Sequence, residues 1–177
     1  MFTRLSIGAG NTYQIAGLVS AYLSLDLARS IHSKYAAISA MLVAWIFLYF
    51  CCHGIAHWAV GRLLGIRFAF YTIGGTGNPT GYPSGLRWLF EHMPFFGVQT
   101  EKVSMQKAAP MSKAIMWCAG VTSSAVTPTL SALYAHSEHL PGSSVFLILA
   151  FCWALGTLAS NWRSGTGDFS KARSALR

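Results

Sequence analysis

Tyr35–Val60 (YAAISAMLVAWIFLYFCCHGIAHWAV) runs for 26 residues without a Lys, Arg, Asp or Glu. A bilayer core about 30 Å thick takes about 20 apolar residues of helix, because in lipid only a helix satisfies its own backbone hydrogen bonds. This stretch sets the expected fold class, and the composition agrees with it. Hydrophobic residues make up 53% of the 177, and charged residues only 10%, against about one quarter in ordinary soluble domains. A soluble enzyme, a disordered tail and a fibrous repeat are all disfavoured. The net charge of +8 does not indicate nucleic acid, because the basic residues lie between apolar runs and form no patch.

Three further stretches are expected to span. Residues 111–135 are rich in Ala, Gly, Ser and Thr, which let neighbouring helices approach closely in lipid, and Pro128 is expected to kink them. Residues 145–162 follow a turn at Pro141–Gly142. The weakest stretch, 12–28, carries Asp26, with Arg29 three residues on as an expected partner. Four spans put Arg4, the loop 61–110 (Arg62, Arg67, Arg87, Lys102, Lys107) with Lys113, and the tail 163–177 (Arg163, Lys171, Arg173, Arg177) on one side. Only Arg29 and Lys34 fall on the other, and eleven against two places both termini in the cytoplasm by the positive-inside rule. If 12–28 only lies on the membrane surface, the later spans keep their orientation and the N-terminus changes sides.

The expected architecture is thus a single all-α polytopic membrane domain over residues 1–177, with a short strand and an interfacial element in the loop between the second and third spans. Arg67–Ile73 (RFAFYTI) alternates and is aromatic and β-branched, so it reads as a strand ended by Gly74–Gly75. Thr76–Gly85 reads as turns, and the aromatic, amphipathic Leu86–Phe96 as an element at the membrane interface. Cys51, Cys52, Cys118 and Cys152 all lie in or beside apolar runs and read as small buried hydrophobes. Met1–Asn11 lacks the pattern of a cleaved secretory signal, so the N-terminus is expected to be retained.

Within the longest apolar run, His53 and His57 stand four residues apart and project from one helix face, one turn apart. Two imidazoles so placed can bind one zinc or iron ion through neutral nitrogens. Polar residues inside a bilayer are costly and usually face the protein interior. The plain alternative is a pair of interior histidines hydrogen-bonded to Ser or Thr of the third span. His32, His92, His136 and His139 read as interfacial side chains.

The segment His53–Gly75 (HGIAHWAVGRLLGIRFAFYTIGG) resembles the site-2 protease family of intramembrane zinc metalloproteases. It shows the same order of zinc-binding helix, small-residue turn, short strand and Gly-Gly pair. Ala109–Val121 (APMSKAIMWCAGV) is similar to that family's entry into its next core helix, and Asn161–Lys171 (NWRSGTGDFSK) sits where the family carries Asn, Pro and a metal-binding Asp. The resemblance implies a site-2-protease-like core in which His53, His57 and Asp168 would hold zinc.

The departures bear on activity. The family has Glu after the first histidine, a general base, whereas this chain has Gly54, which accepts no proton. Removing such a base typically lowers a rate by about 10² to 10⁴. Ser164 stands in place of the Pro, Phe169 follows Asp168 in place of Gly, and the interval from Asn161 to Asp168 is one residue short. Glu91 and Glu101 of the loop read as solvated charges, not as substitutes for the base.

The expected function is therefore that of a catalytically inactive relative, a non-proteolytic subunit or regulator of a membrane complex. Its small-residue face, with Ala119, Gly120, Ser123 and Ser124, is expected to bind other transmembrane helices. An active intramembrane zinc metalloprotease is the alternative. A membrane subunit carrying haem or another redox metal on the two histidines is a second one.

Overall fold

The computed structural model describes residues 3–75, 84–93 and 95–177. In chain order the elements are β1 (Thr3–Leu5), α1 (Ile7–Ser30), α2 (Lys34–Leu63), β2 (Phe68–Gly74), α3 (Ser84–His92), β3 (Phe95–Thr100), α4 (Lys102–Lys107), α5 (Pro110–Ser137), α6 (Ser143–Arg163) and α7 (Asp168–Ala175). The protein is mostly helical with one small sheet. The four long helices form where the sequence places apolar spans, each extended by a few residues at its ends. The turn-rich stretch at 76–83 lies outside the described residues.

Each long helix has a local reason to start or stop. Ser6 Oγ accepts from the Ala9 amide at 3.1 Å, satisfying one of the orphan donors of α1. Gly65, at φ +80°, closes α2 in a conformation that costs glycine least, and the Ile66 amide donates back to the Gly61 carbonyl at 2.8 Å. The chain then enters β2 at Phe68, so the short turn around Gly65 is all that separates a helix from a strand. Pro110 opens α5 at its first turn, where a missing N–H costs nothing. Pro128 lies within α5 and is buried.

α1 packs on α2, α2 on α5, and α5 on α6. The residue pairings run in opposite senses, with Gly17 against Cys51 and Gln14 against Gly54, so α1 and α2 are antiparallel. At one end of the bundle the core is almost entirely small or apolar: Ala21, Leu25, Ala28, Ala44, Leu48, Ala132, Ala135, Phe146 and Ala150 are buried together with Met41. The sheet, in the order β1-β2-β3 and antiparallel throughout, covers the other end. β2 confirms the expected strand at Arg67–Ile73 to within one residue. The interfacial stretch at 86–96 divides, its first part forming the end of α3 and its last residues opening β3, which pairs Tyr71 with Val98 and Ile73 with Phe96.

α2 and α6 are long and apolar enough to cross a membrane. Only 33% and 17% of their most apolar windows are buried within the fold, so their apolar side chains face outward, unlike those of a soluble core helix. α1 and α5 have the length but are less apolar. For α5 the reason is its place between α2 and α6. Its buried Ser124, Thr129 and Ser131 are interior groups, two of which donate to backbone carbonyls of their own helix at 2.7 Å. Cys51 and Cys52 are buried as expected, but Cys152 is exposed on the outer face of α6.

Candidate metal centre

The sheet-covered end of the bundle collects the last turns of α2, the first turns of α1 and α5, and α7. There His53 Nε2, His57 Nε2 and Asp168 Oδ2 converge, with separations of 3.2 Å between the two nitrogens, 3.2 Å from His57 to the carboxylate and 3.3 Å from His53 to it. Three vertices of a tetrahedron around zinc, with bonds of about 2.0–2.1 Å, lie about 3.3 Å apart. The near-equilateral triangle has the size of such a coordination face.

The hydrogen bonds behind the ligands point the same way. His57 Nδ1 donates to the Met116 carbonyl oxygen at 2.7 Å. A carbonyl only accepts, so that nitrogen carries a proton, and Nε2 is the atom left to face the carboxylate, as a lone pair whenever the ring is neutral. Asp168 Oδ2 presents another. Two lone pairs 3.2 Å apart repel unless positive charge lies between them, as a shared proton or a metal ion. His53 Nδ1 is held by Ser124 Oγ at 3.0 Å, which fixes the second ring. Outer partners of this kind set the tautomer and orientation of metal-binding histidines.

Close packing makes the geometry possible. The His57 ring lies directly on Gly120, so near that any Cβ there would collide with its Nε2. The ring also meets Trp117 of the same helix as Gly120 edge-on, with centroids 5.5 Å apart. Lys171 Nζ sits 4.4 Å over that same indole and 3.5 Å from Asp168 Oδ1, so the carboxylate has one oxygen toward the histidines and the other toward an ammonium.

Asp168 reaches the cluster through a turn at the end of α6. Ser164 Oγ accepts from the Gly167 amide at 3.0 Å, and Asn161 Oδ1 accepts from the Phe169 amide at 2.9 Å, which caps α7. A serine hydroxyl and an asparagine carbonyl thus shape the turn that delivers the aspartate. Burial opposes ionisation of Asp168, but hydrogen bonds and charge from His53 and His57 outweigh it and hold the carboxyl well below the usual range.

The other acids stand apart from the cluster. Glu91 and Glu101 are exposed. Asp26 lies 3.9 Å from Arg29, as the sequence suggests, but the closer partner of that guanidinium is Glu138, at 3.1 Å. Among the described residues only His53, His57 and Asp168 form a group able to hold a metal ion. His57 and Asp168 are almost fully buried, while 35% of the His53 side chain is exposed, so approach to the cluster is from the His53 side. His92 bonds its own helix at the Trp88 carbonyl, and His136 faces Ser144.

The small-residue face of α5 is engaged within the chain. Gly120 is covered by His57, Ser124 holds His53, and Ser123 Oγ lies 3.2 Å from the Cys52 carbonyl oxygen. Ala119 is half-buried. The haem alternative fits poorly, because axial histidines stand on opposite sides of the iron with nitrogens about 4 Å apart, and these two are 3.2 Å apart on one helix face. Sequence reasoning did not foresee the Met116 carbonyl, Trp117, Lys171 or the buried amide of Gln14 beside Gly54. Of these only Gln14 carried a signal, as an amide within an apolar stretch. No family model, no curated protein and no solved structure matches the chain.

Proposed function

We propose that the protein is an integral membrane protein with a site-2-protease-like core that binds zinc at His53, His57 and Asp168 without carrying out proteolysis, and that it serves as a subunit or regulator in a membrane complex. One observation carries this reading: three ligand atoms converge with the dimensions of a zinc coordination face, while the residue next to the first histidine is Gly54 and every other acid of the chain is exposed or engaged with Arg29. Zinc bound there would act as a Lewis acid or as a brace between α2 and α7. The chain's own residues position and neutralise it. Met116 and Ser124 set the imidazoles, Asp168 supplies the anionic ligand and Lys171 balances its outer oxygen. Gly54 offers no side chain to take a proton from a nucleophile, which is a step a hydrolase needs.

The outward apolar faces of α2 and α6 support residence in a bilayer, and the eleven-to-two charge asymmetry supports an orientation with both termini and the metal centre on the cytoplasmic side. Partner helices would meet the protein on those outer faces, since α2 already covers the small-residue face of α5. A second reading, an active metalloprotease, draws on the three-ligand set, which leaves a fourth position open as catalytic zinc sites do.

Metal analysis of protein purified without chelators separates these readings from a metal-free one. The expected result is about one zinc per chain, lost in His57→Ala, with chelator lowering the thermal midpoint of the wild type and not of the variant. Absence of bound metal would overturn the zinc reading. Cleavage of a membrane substrate that stops with chelator or with His53→Ala would replace the silent reading by the active one. Recovery of the protein as a lone chain from native membranes would remove the role as a subunit.

A further inference from the structure

Gly54 is enclosed from three sides. A Cβ on it would lie 2.7 Å from Gln14 Oε1 of α1, 3.2 Å from the Phe96 carbonyl oxygen of β3 and 3.3 Å from Tyr71 Cε1 of β2. The first distance is inside van der Waals contact, and it is close to the distance from Cβ to the carboxyl carbon within a glutamate side chain. The terminal oxygen of Gln14 therefore occupies space that a longer side chain at position 54 would fill.

Gln14 is held there. It is fully buried, and its Nε2 donates to the Gly10 carbonyl at 3.1 Å. Gly10 in turn lies directly under the Tyr71 ring. The Tyr71 hydroxyl donates to Asn11 Oδ1 at 2.8 Å, with the Gly54 carbonyl oxygen a longer alternative at 3.4 Å, and burial, opposed by a side-chain hydrogen bond with Gln14, pushes that phenol up to about 12, so it stays neutral. Gln14 Oε1 is left as the one buried side-chain N or O atom without a hydrogen-bond partner among the described residues. Native proteins rarely leave such an acceptor bare, and this one lies against the residue that follows the first histidine.

We propose that Gln14 holds the seat of the missing side chain at position 54: an amide supplied by α1 keeps a neutral hydrogen-bond acceptor against Gly54, the residue that follows His53, and closes that space to an acid. This deepens, and rests on, the reading of a silent zinc centre. An amide oxygen orients a donor but takes no proton near neutral pH, so Gln14 is a positioning residue, and the loss of the base is built into the packing of α1 against α2. Restoring a carboxylate at 54 then requires two changes.

The test uses the full chain in detergent, with the single variants Gly54→Glu, Gly54→Ala and Gln14→Ala, and with Gln14→Ala combined with each change at 54. Thermal midpoints and the visible spectrum of added cobalt(II) are read for each. The expected result is a large loss of midpoint for Gly54→Glu, most of which is recovered in the pair with Gln14→Ala, with cobalt affinity of the pair within about tenfold of wild type. Cobalt bands of Gln14→Ala shift relative to wild type, which a packing role away from the metal would not produce. Where Gly54→Glu gives no folded protein, the alanine series reads the same coupling: Gly54→Ala costs more in the wild-type background than in the Gln14→Ala background.

Equal costs of the change at 54 in both backgrounds, or unchanged cobalt bands in Gln14→Ala, overturn this proposal and leave the metal centre standing. Failure of the wild type to bind cobalt at all overturns both.

Discussion

The two ends of the helical bundle are held by different physics. At the end away from the sheet, Ala21, Ala28, Ala44, Ala132 and Ala135 are almost wholly buried around Met41 and Phe146, and small side chains bring four helices together through contact alone. At the sheet-covered end the same helices converge on ring nitrogens, a carboxylate, an amide and backbone carbonyls. Contact in the first region is tolerant of chemistry and sensitive to volume. In the second, each atom must face a partner of the right kind, so the end that holds the histidines is sensitive to chemistry as well as to volume. Substitutions at the two ends should therefore separate stability from metal binding.

The sharpest break of that contrast is Gly120→Ala, which adds one carbon where the His57 ring lies. The ring must leave, taking Nε2 out of the ligand triangle and breaking the bond to the Met116 carbonyl. The expected result is metal affinity lower by more than about 100-fold, beyond the usual effect of an outer partner, with an overpacking cost of about 1–3 kcal/mol in stability. Isothermal titration with zinc beside thermal unfolding reads both. Wild-type affinity in Gly120→Ala would mean that His57 is not a ligand.

At the other end Met41→Ala should behave in the opposite way. Met41 is 1% exposed among small neighbours that cannot expand to fill its space. The cavity should cost about 2–4 kcal/mol, while zinc affinity measured on the folded protein stays within about threefold of wild type. A matching loss of affinity would show that the two ends are coupled, and the comparison would have to be redrawn.

What could be read from the chain follows the same division. The spacing of His53 and His57 and the alternation in Arg67–Ile73 are local patterns, and both survive as a histidine face and as β2. β1 and β3 were not legible: the first is three residues long, and the second begins within an aromatic stretch whose amphipathic reading hid its first two residues. Both strands exist because β2 lies between them, a long-range cause that no local periodicity carries. Asp168 was visible as a candidate only through resemblance, and the turn that delivers it works through Ser164 and Asn161, whose roles emerge only once α6 and α7 are in place. Gln14 and Gly54 are forty positions apart, and the Met116 carbonyl is a backbone atom with no residue type to announce it.

The smallest expected effect concerns the second imidazole. Ser124 Oγ lies 3.0 Å from His53 Nδ1 and is almost fully buried on α5, whereas the corresponding partner of His57 is a backbone carbonyl that no substitution removes. In Ser124→Ala the His53 ring keeps its place on α2 but loses the group that fixes its rotation, and because its side chain is partly exposed it can turn away. Outer partners of metal-binding histidines are worth about 10- to 100-fold in affinity, and the lower figure is expected here because water can replace the hydroxyl on the exposed side. Zinc titration of Ser124→Ala should therefore show about a tenfold loss, about 1.4 kcal/mol, with the thermal midpoint of the metal-free protein nearly unchanged. An unchanged affinity would place His53 outside the coordination sphere, leaving His57 and Asp168 to hold the ion with a ligand of another kind.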